Sequence, residues 1–190
     1  LNKKTSQSKI IYNAMKKIHT DDENELRVID ISFKSMEKGG VNLEDVEKEN
    51  LKEIHMKLSK KSTKFSENLI DAMKDYKYIV NSETNNGNTE FMKKVPLWAR
   101  EMWNKEDPEN GPWTITLGGP SISAALRFIH NQDIRKTLYL KYISMAGNEN
   151  EPLINDMLDL RYQESQILNF NNYAELSLSF KMAPNVETIL

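Results

Sequence analysis

A chain of 190 residues suits one domain or one part of a larger molecule. Its 38% apolar and 28% charged residues allow a packed core and exclude a disordered chain. A net charge of -2, from 26 basic and 28 acidic residues, gives no overall pull toward nucleic acid or an anionic membrane. There is no cysteine, which rules out disulfides, thiolate zinc sites and cysteine nucleophiles and fits a reducing intracellular compartment, cytosol or organelle. No apolar run approaches the roughly 20 residues of a membrane helix. The first residue is Leu1, not Met, which predicts that the natural N-terminus and any targeting peptide lie upstream.

Taken in chain order, residues 4–18 read as a helix, with Ile10, Ile11, Ala14, Met15 and Ile18 at three- and four-residue spacing. A second helix opens on the acidic turn 21–25, carries Leu26, Ile29, Phe33 and Met36 inward, and stops at Gly39-Gly40. The strongest periodicity runs over 43–76. Val46, Leu51, Ile54, Leu58, Phe65, Leu69, Ala72, Met73 and Tyr76 form its stripe, and Asn42 is the expected cap. At about 1.5 Å per residue such a helix spans roughly 50 Å, the length of a wall in a bigger molecule or of a helical hairpin. Residues 76–80 and 113–117 switch to β-type side chains and are expected to pair antiparallel. Between them, 81–90 is polar and reads as a loop, 96–103 as a short helix, and 107–112 as a turn. Helices follow at 121–130, 133–146, 152–170 and 172–182. They are expected to bury Ile122, Ala125, Leu126 and Ile129, then Ile134, Leu138, Tyr142 and Met145, then Ile154, Leu158, Tyr162 and Leu168. Pro184 closes the last of them, and 185–190 reads as a capped helix just begun, as in a chain cut from a longer one.

Chemistry is sparse. Zinc hydrolysis needs two imidazoles on one helix face, and none of His19, His55 and His130 has a partner at ligand spacing. His55 reads as a boundary histidine on the long helix, and His130 as a helix-ending one. The stretch Leu117-Gly118-Gly119-Pro120-Ser121 reads as a strand-to-helix connection in which Pro120 and Ser121 start the helix, rather than as a phosphate loop. Asp156 with Asp159, and Glu149 with Glu151, read as helix-surface charges, since neither pair has the apolar enclosure of a catalytic carboxyl. Trp98, Trp103 and Trp113 suggest an aromatic packing cluster. Lys57, Lys60, Lys61 and Lys64, interleaved with Glu53 and Glu67, read as a solvated helix face. No catalytic, cofactor-binding or metal-binding residue is assigned from the sequence.

Three stretches nevertheless carry a resemblance. Residues 58–68, Leu-Ser-Lys-Lys-Ser-Thr-Lys-Phe-Ser-Glu-Asn, resemble an "LSxxSTxFSEN" segment. Gly111-Pro112-Trp113, Thr116-Leu117 and Pro120-Ser121 resemble a "GW-x-x-TL-x-x-PS" strand-to-helix step. Leu160-Arg161, Ile167-Leu168-Asn169-Phe170, Asn172-Tyr173-Ala174 and Lys181-Met182-Ala183 resemble "LR…LLGF-x-NYAE-x-SL-x-x-KMA". In this order they are similar to the thimet oligopeptidase and oligopeptidase A family of zinc metallopeptidases. Asn169 stands where that family has Gly, and Lys141 and Met145 stand where Ala and Arg are usual.

The resemblance implies an all-α, two-domain peptidase that cleaves internal bonds of short peptides in a deep channel, with zinc held by two His and a Glu. Residues 1–190 then form a single helical N-terminal region, one wall of the channel, with its own catalytic domain expected after Leu190 as its partner. Neither nucleic acid nor membrane is an expected partner. An apolar surface normally covered by that domain is expected to lie open. The alternative is a free-standing helical interaction module without catalysis. A free-standing hydrolase using Asp or Glu with an unrecognised metal is a third reading.

Overall fold

The computed structural model describes residues 3–81, 83 and 89–190. The elements are α1 (Lys3–Ser6), α2 (Lys9–Met15), α3 (Glu23–Lys38), α4 (Asp45–Asp75), β1 (Lys77–Val80), a 3-10 turn (Glu90–Lys94), α5 (Leu97–Trp103), β2 (Trp113–Thr116), α6 (Gly119–Phe128), α7 (Gln132–Ile143), α8 (Gly147–Ile167) and α9 (Tyr173–Leu178). The fold is all-α with one short antiparallel strand pair, as the periodicity predicts. In that pair Tyr78 faces Ile115 and Val80 faces Trp113. The loop expected at 81–90 falls mostly outside the described residues.

Helix ends follow local chemistry. The Asp22 carboxylate accepts from the N–H groups of Asn24 (2.8 Å) and Glu25 (3.1 Å), capping α3 as its acidic start suggests. At its other end Gly40 takes φ +83, and Val41 N–H returns to the Met36 carbonyl (3.0 Å) while Gly40 N–H returns to Glu37 (2.9 Å). That pair of bonds defines a Schellman turn, and its left-handed residue favours glycine. α8 ends in the same way. Phe170 N–H reaches the Ser165 carbonyl (2.8 Å), Asn169 N–H reaches Gln166 (3.1 Å), and Asn169 sits at φ +60. Asn tolerates that conformation better than most residues, which accounts for its standing where glycine is usual.

Several expectations need correction. Residues 4–18 break into two short helices, because the Ser8 side chain caps α2 by accepting from Ile11 N–H (3.3 Å). Asn42 does not cap α4; the Glu47 carboxylate folds back onto the N–H of Glu44 (3.2 Å) and does that work instead. α8 starts at Gly147, five residues before Pro152, which lies inside the helix and leaves the Asn148 carbonyl without its helical donor. α9 stops at Leu178, short of residue 182. Residues 185–190 do form a capped turn, with Asn185 Oδ1 accepting from Thr188 N–H (2.9 Å).

The chain divides into two compact units, Leu1–Ser62 with Ile154–Leu190, and Thr63–Leu153. The second unit holds the larger core, in which Trp113, Ile115, Leu117, Met92, Leu138 and Ile129 are almost wholly enclosed. In the first unit Tyr12, Met36 and Val41 form a smaller cluster against which Met15 and Phe33 pack. Tyr12 and Phe33 meet edge-to-face, their centroids 5.3 Å apart.

α8 turns opposite to the expected way. Ile154, Leu158 and Tyr162 are 43%, 55% and 55% exposed, while Asn150, Leu160, Glu164 and Ser165 are buried. Leu26 on α3 and Val46 on α4 also face solvent, as does Tyr142 on α7 in part. Solvent-facing apolar side chains thus occur on α3, α4, α7 and α8.

Candidate functional site

In the second unit the last turns of α4 and the junction between α7 and α8 enclose a cavity of about 630 Å³. Asp71, Asp75 and Glu149 stand at its edge against one base, Lys141, so it presents an acidic mouth. The Lys141 ammonium lies 5.8 Å from the Tyr76 ring centroid. Burial, and after it the nearby Tyr78, hold the Tyr76 phenol above its ordinary pKa, so it stays protonated at neutral pH. Ser144 also lines the cavity, and its hydroxyl donates to the Leu140 carbonyl (2.8 Å). These groups can hold a polar or cationic molecule.

Two buried polar contacts sit on the same long helices. In the second unit Asn68 Nδ2 donates to Asn150 Oδ1 (2.9 Å), and Asn150 Nδ2 donates to the Phe65 carbonyl (3.3 Å). In the first unit His55 Nε2 meets Glu164 Oε1 at 2.9 Å, and the Glu164 side chain is only 6% exposed. His55 is therefore a boundary histidine with a structural partner. His19 and His130 are exposed. Among the described residues no three His, Cys, Asp or Glu side chains gather into a group that could hold a metal ion. These donors do not fit zinc.

The remaining sequence candidates are structural as well. Trp103 and Trp113 lie in the core, whereas Trp98 is 54% exposed and packs edge-to-face on Phe128 at 5.8 Å. Ser121 does not start α6, which begins at Gly119. Its buried Oγ instead accepts from Trp103 Nε1 (2.9 Å) and from Thr116 N–H (3.0 Å), tying β2 to α5 and α6. Arg100, also buried, donates to the carbonyls of Val95 (3.1 Å) and Pro108 (3.1 Å) and to Glu109 (2.6 Å). Asp159, Glu149 and Glu151 are exposed, and Asp156 forms an ion pair with Lys61. Lys57, Lys60 and Lys64 face solvent. The Glu175 N–H donates to Asn172 Oδ1 (3.0 Å) and the Glu175 carboxylate accepts from Asn171 N–H (3.3 Å), a reciprocal cap at the start of α9.

The sequence model of Peptidase family M3 matches residues 125–190. The organellar oligopeptidase A, chloroplastic/mitochondrial, of Arabidopsis thaliana is 33% identical over 93% of this chain and 24% of its own length. The probable cytosolic oligopeptidase A of the same plant is 33% identical over 93% of this chain and 27% of its own length. Oligopeptidase A of Salmonella typhimurium is 25% identical over 95% of this chain and 28% of its own length. The chain is thus similar in sequence to family M3 peptidases. Its likeness within them is to the proteins called oligopeptidase A and thimet-like oligopeptidase. It spans about a quarter of the length of the curated relatives it matches. No helix among the described residues is long and apolar enough to cross a membrane.

Proposed function

We propose that this chain is a non-catalytic helical portion of a zinc-dependent oligopeptidase acting on short peptides, where it forms one wall of the substrate channel. The observation that carries the reading is the match over 93% of this chain to relatives about four times its length. The buried Asn68–Asn150 and His55–Glu164 contacts support a scaffolding role, since each ties one long helix to another. In the parent enzyme zinc is held by side chains outside this set. The catalytic domain is the chain's natural partner, short peptides are the substrates, and a reducing compartment is the setting.

Reading the coding frame past Leu190 tests the proposal. A helix bearing His-Glu-x-x-His with a later Glu is expected. A frame that closes without one overturns the reading and leaves a helical binding module. A second check mixes the pure 190-residue chain and zinc with an internally quenched peptide. No turnover is expected, and zinc-dependent cleavage would place catalysis within these residues.

A further inference from the structure

The first unit contains a second, smaller cavity, of about 370 Å³, within the range of small-molecule sites. It lies where the Schellman turns ending α3 and α8 approach each other. Its apolar surface comes from Leu43, Leu168, Phe170 and Phe180. Three charged side chains stand beside it, and two are already committed. Lys34 pairs with Asp30 at 3.0 Å, and the Glu37 carboxylate accepts from the Tyr12 hydroxyl at 2.6 Å. Lys38 is different: its ammonium rests 4.9 Å from the Phe180 ring centroid, with no carboxylate paired to it among the described residues. The amides of Asn42 and Asn169 also line the cavity, and neither side chain has a hydrogen-bond partner among the described residues.

From this juxtaposition we infer that the cavity binds the C-terminal residue of a peptide, an apolar side chain with a free carboxylate. The side chain occupies the Leu43–Leu168–Phe170–Phe180 surface. The carboxylate meets the Lys38 ammonium in a charge-assisted bond, in a setting drier than bulk water. A primary amide both donates and accepts, so Asn42 and Asn169 can serve the last peptide N–H and C=O, which a simple fatty acid lacks. A cationic ligand would meet like charge at Lys38. The cavity's chemistry is independent of any peptidase activity, because every group it uses belongs to the first unit.

Binding of N-acetyl-L-phenylalanine to the 190-residue chain, followed by amide chemical shifts of residues 168–170 and by calorimetry, tests the site. Saturable shifts are expected, with affinity about tenfold or more lower for N-acetyl-L-phenylalaninamide, which lacks the negative charge. Lys38→Met should weaken the acid by a similar factor and leave the amide unchanged; Lys38→Gln repeats the test should the first variant misfold. Octanoate should bind more weakly than the acetylated amino acid. Absence of saturable shifts overturns the assignment, as does equal binding of acid and amide. Octanoate binding as tightly as N-acetyl-L-phenylalanine overturns the peptide-end identity.

Discussion

Replacing Ser121 by Ala tests how the second unit holds its strand-to-helix step. The Ser121 side chain is 6% exposed and its single oxygen receives two donors, Trp103 Nε1 at 2.9 Å and Thr116 N–H at 3.0 Å. Trp103 is itself only 5% exposed, so water cannot readily replace the lost acceptor. An unsatisfied buried donor costs about 1–3 kcal/mol, and two of them give about 2–6 kcal/mol for Ser121→Ala. Urea unfolding followed by far-ultraviolet circular dichroism measures the total. Exchange of the Thr116 amide proton reads the local part and should speed up about tenfold or more. Trp103→Phe removes one donor, so the double variant should lose about 1–2 kcal/mol less than the two single losses added together. A loss under about 0.5 kcal/mol for Ser121→Ala, or strict additivity in the cycle, would refute a shared acceptor.

Three further outcomes can be measured on the same chain. Gly40→Ala places a Cβ 2.8 Å from Leu43 Cδ1 at φ +83, and should lower stability by about 1–3 kcal/mol in a denaturant titration. Asn169→Gly, at the matching turn of α8, should be neutral or raise stability by up to about 1 kcal/mol, with the chain's melting temperature as the readout. His55→Ala strands the buried Glu164 carboxylate and should cost about 1–3 kcal/mol, whereas His55→Ala with Glu164→Leu should recover most of it in the same titration. Tyr76 has a folded-state pKa raised above its unfolded value, so its contribution is fully present below about pH 10 and is lost as pH rises through the higher folded value. Tyr76→Phe should therefore flatten the alkaline end of the stability profile, and an unchanged profile would remove that attribution.

Local signals proved readable where the chemistry is local. An acidic run followed by Gly39-Gly40 marks both ends of α3, and β-branched and aromatic residues mark the two strands, because capping and pairing act over a few residues. The family-like stretches acquire physical content as well: Asn172 and Glu175 are the two halves of a helix cap, and Asn68 is the partner of Asn150. The face of α8 was not readable. Apolar periodicity points Ile154, Leu158 and Tyr162 inward, yet the helix buries Asn150 and Glu164, whose partners lie 82 and 109 residues away in sequence. Spacing within one segment cannot reveal a partner that distant. Pro152 misplaced the start of α8 for a related reason, since a proline reads as a helix opening until the preceding turn is seen. Both cavities draw their walls from segments far apart in the chain, so neither leaves a motif in the sequence.

The division of the chain has a consequence for its synthesis on the ribosome. The second unit is one continuous segment, Thr63–Leu153, and every residue it needs has been made before residues 154–190 emerge. The first unit needs both ends, and its His55–Glu164 contact cannot close until the chain has grown past residue 164. During that interval Ile54 on α4, which lines one hollow with Tyr162 and Ile167, waits for partners delivered late. The order of emergence makes the continuous unit the early folder and the stitched unit the late one.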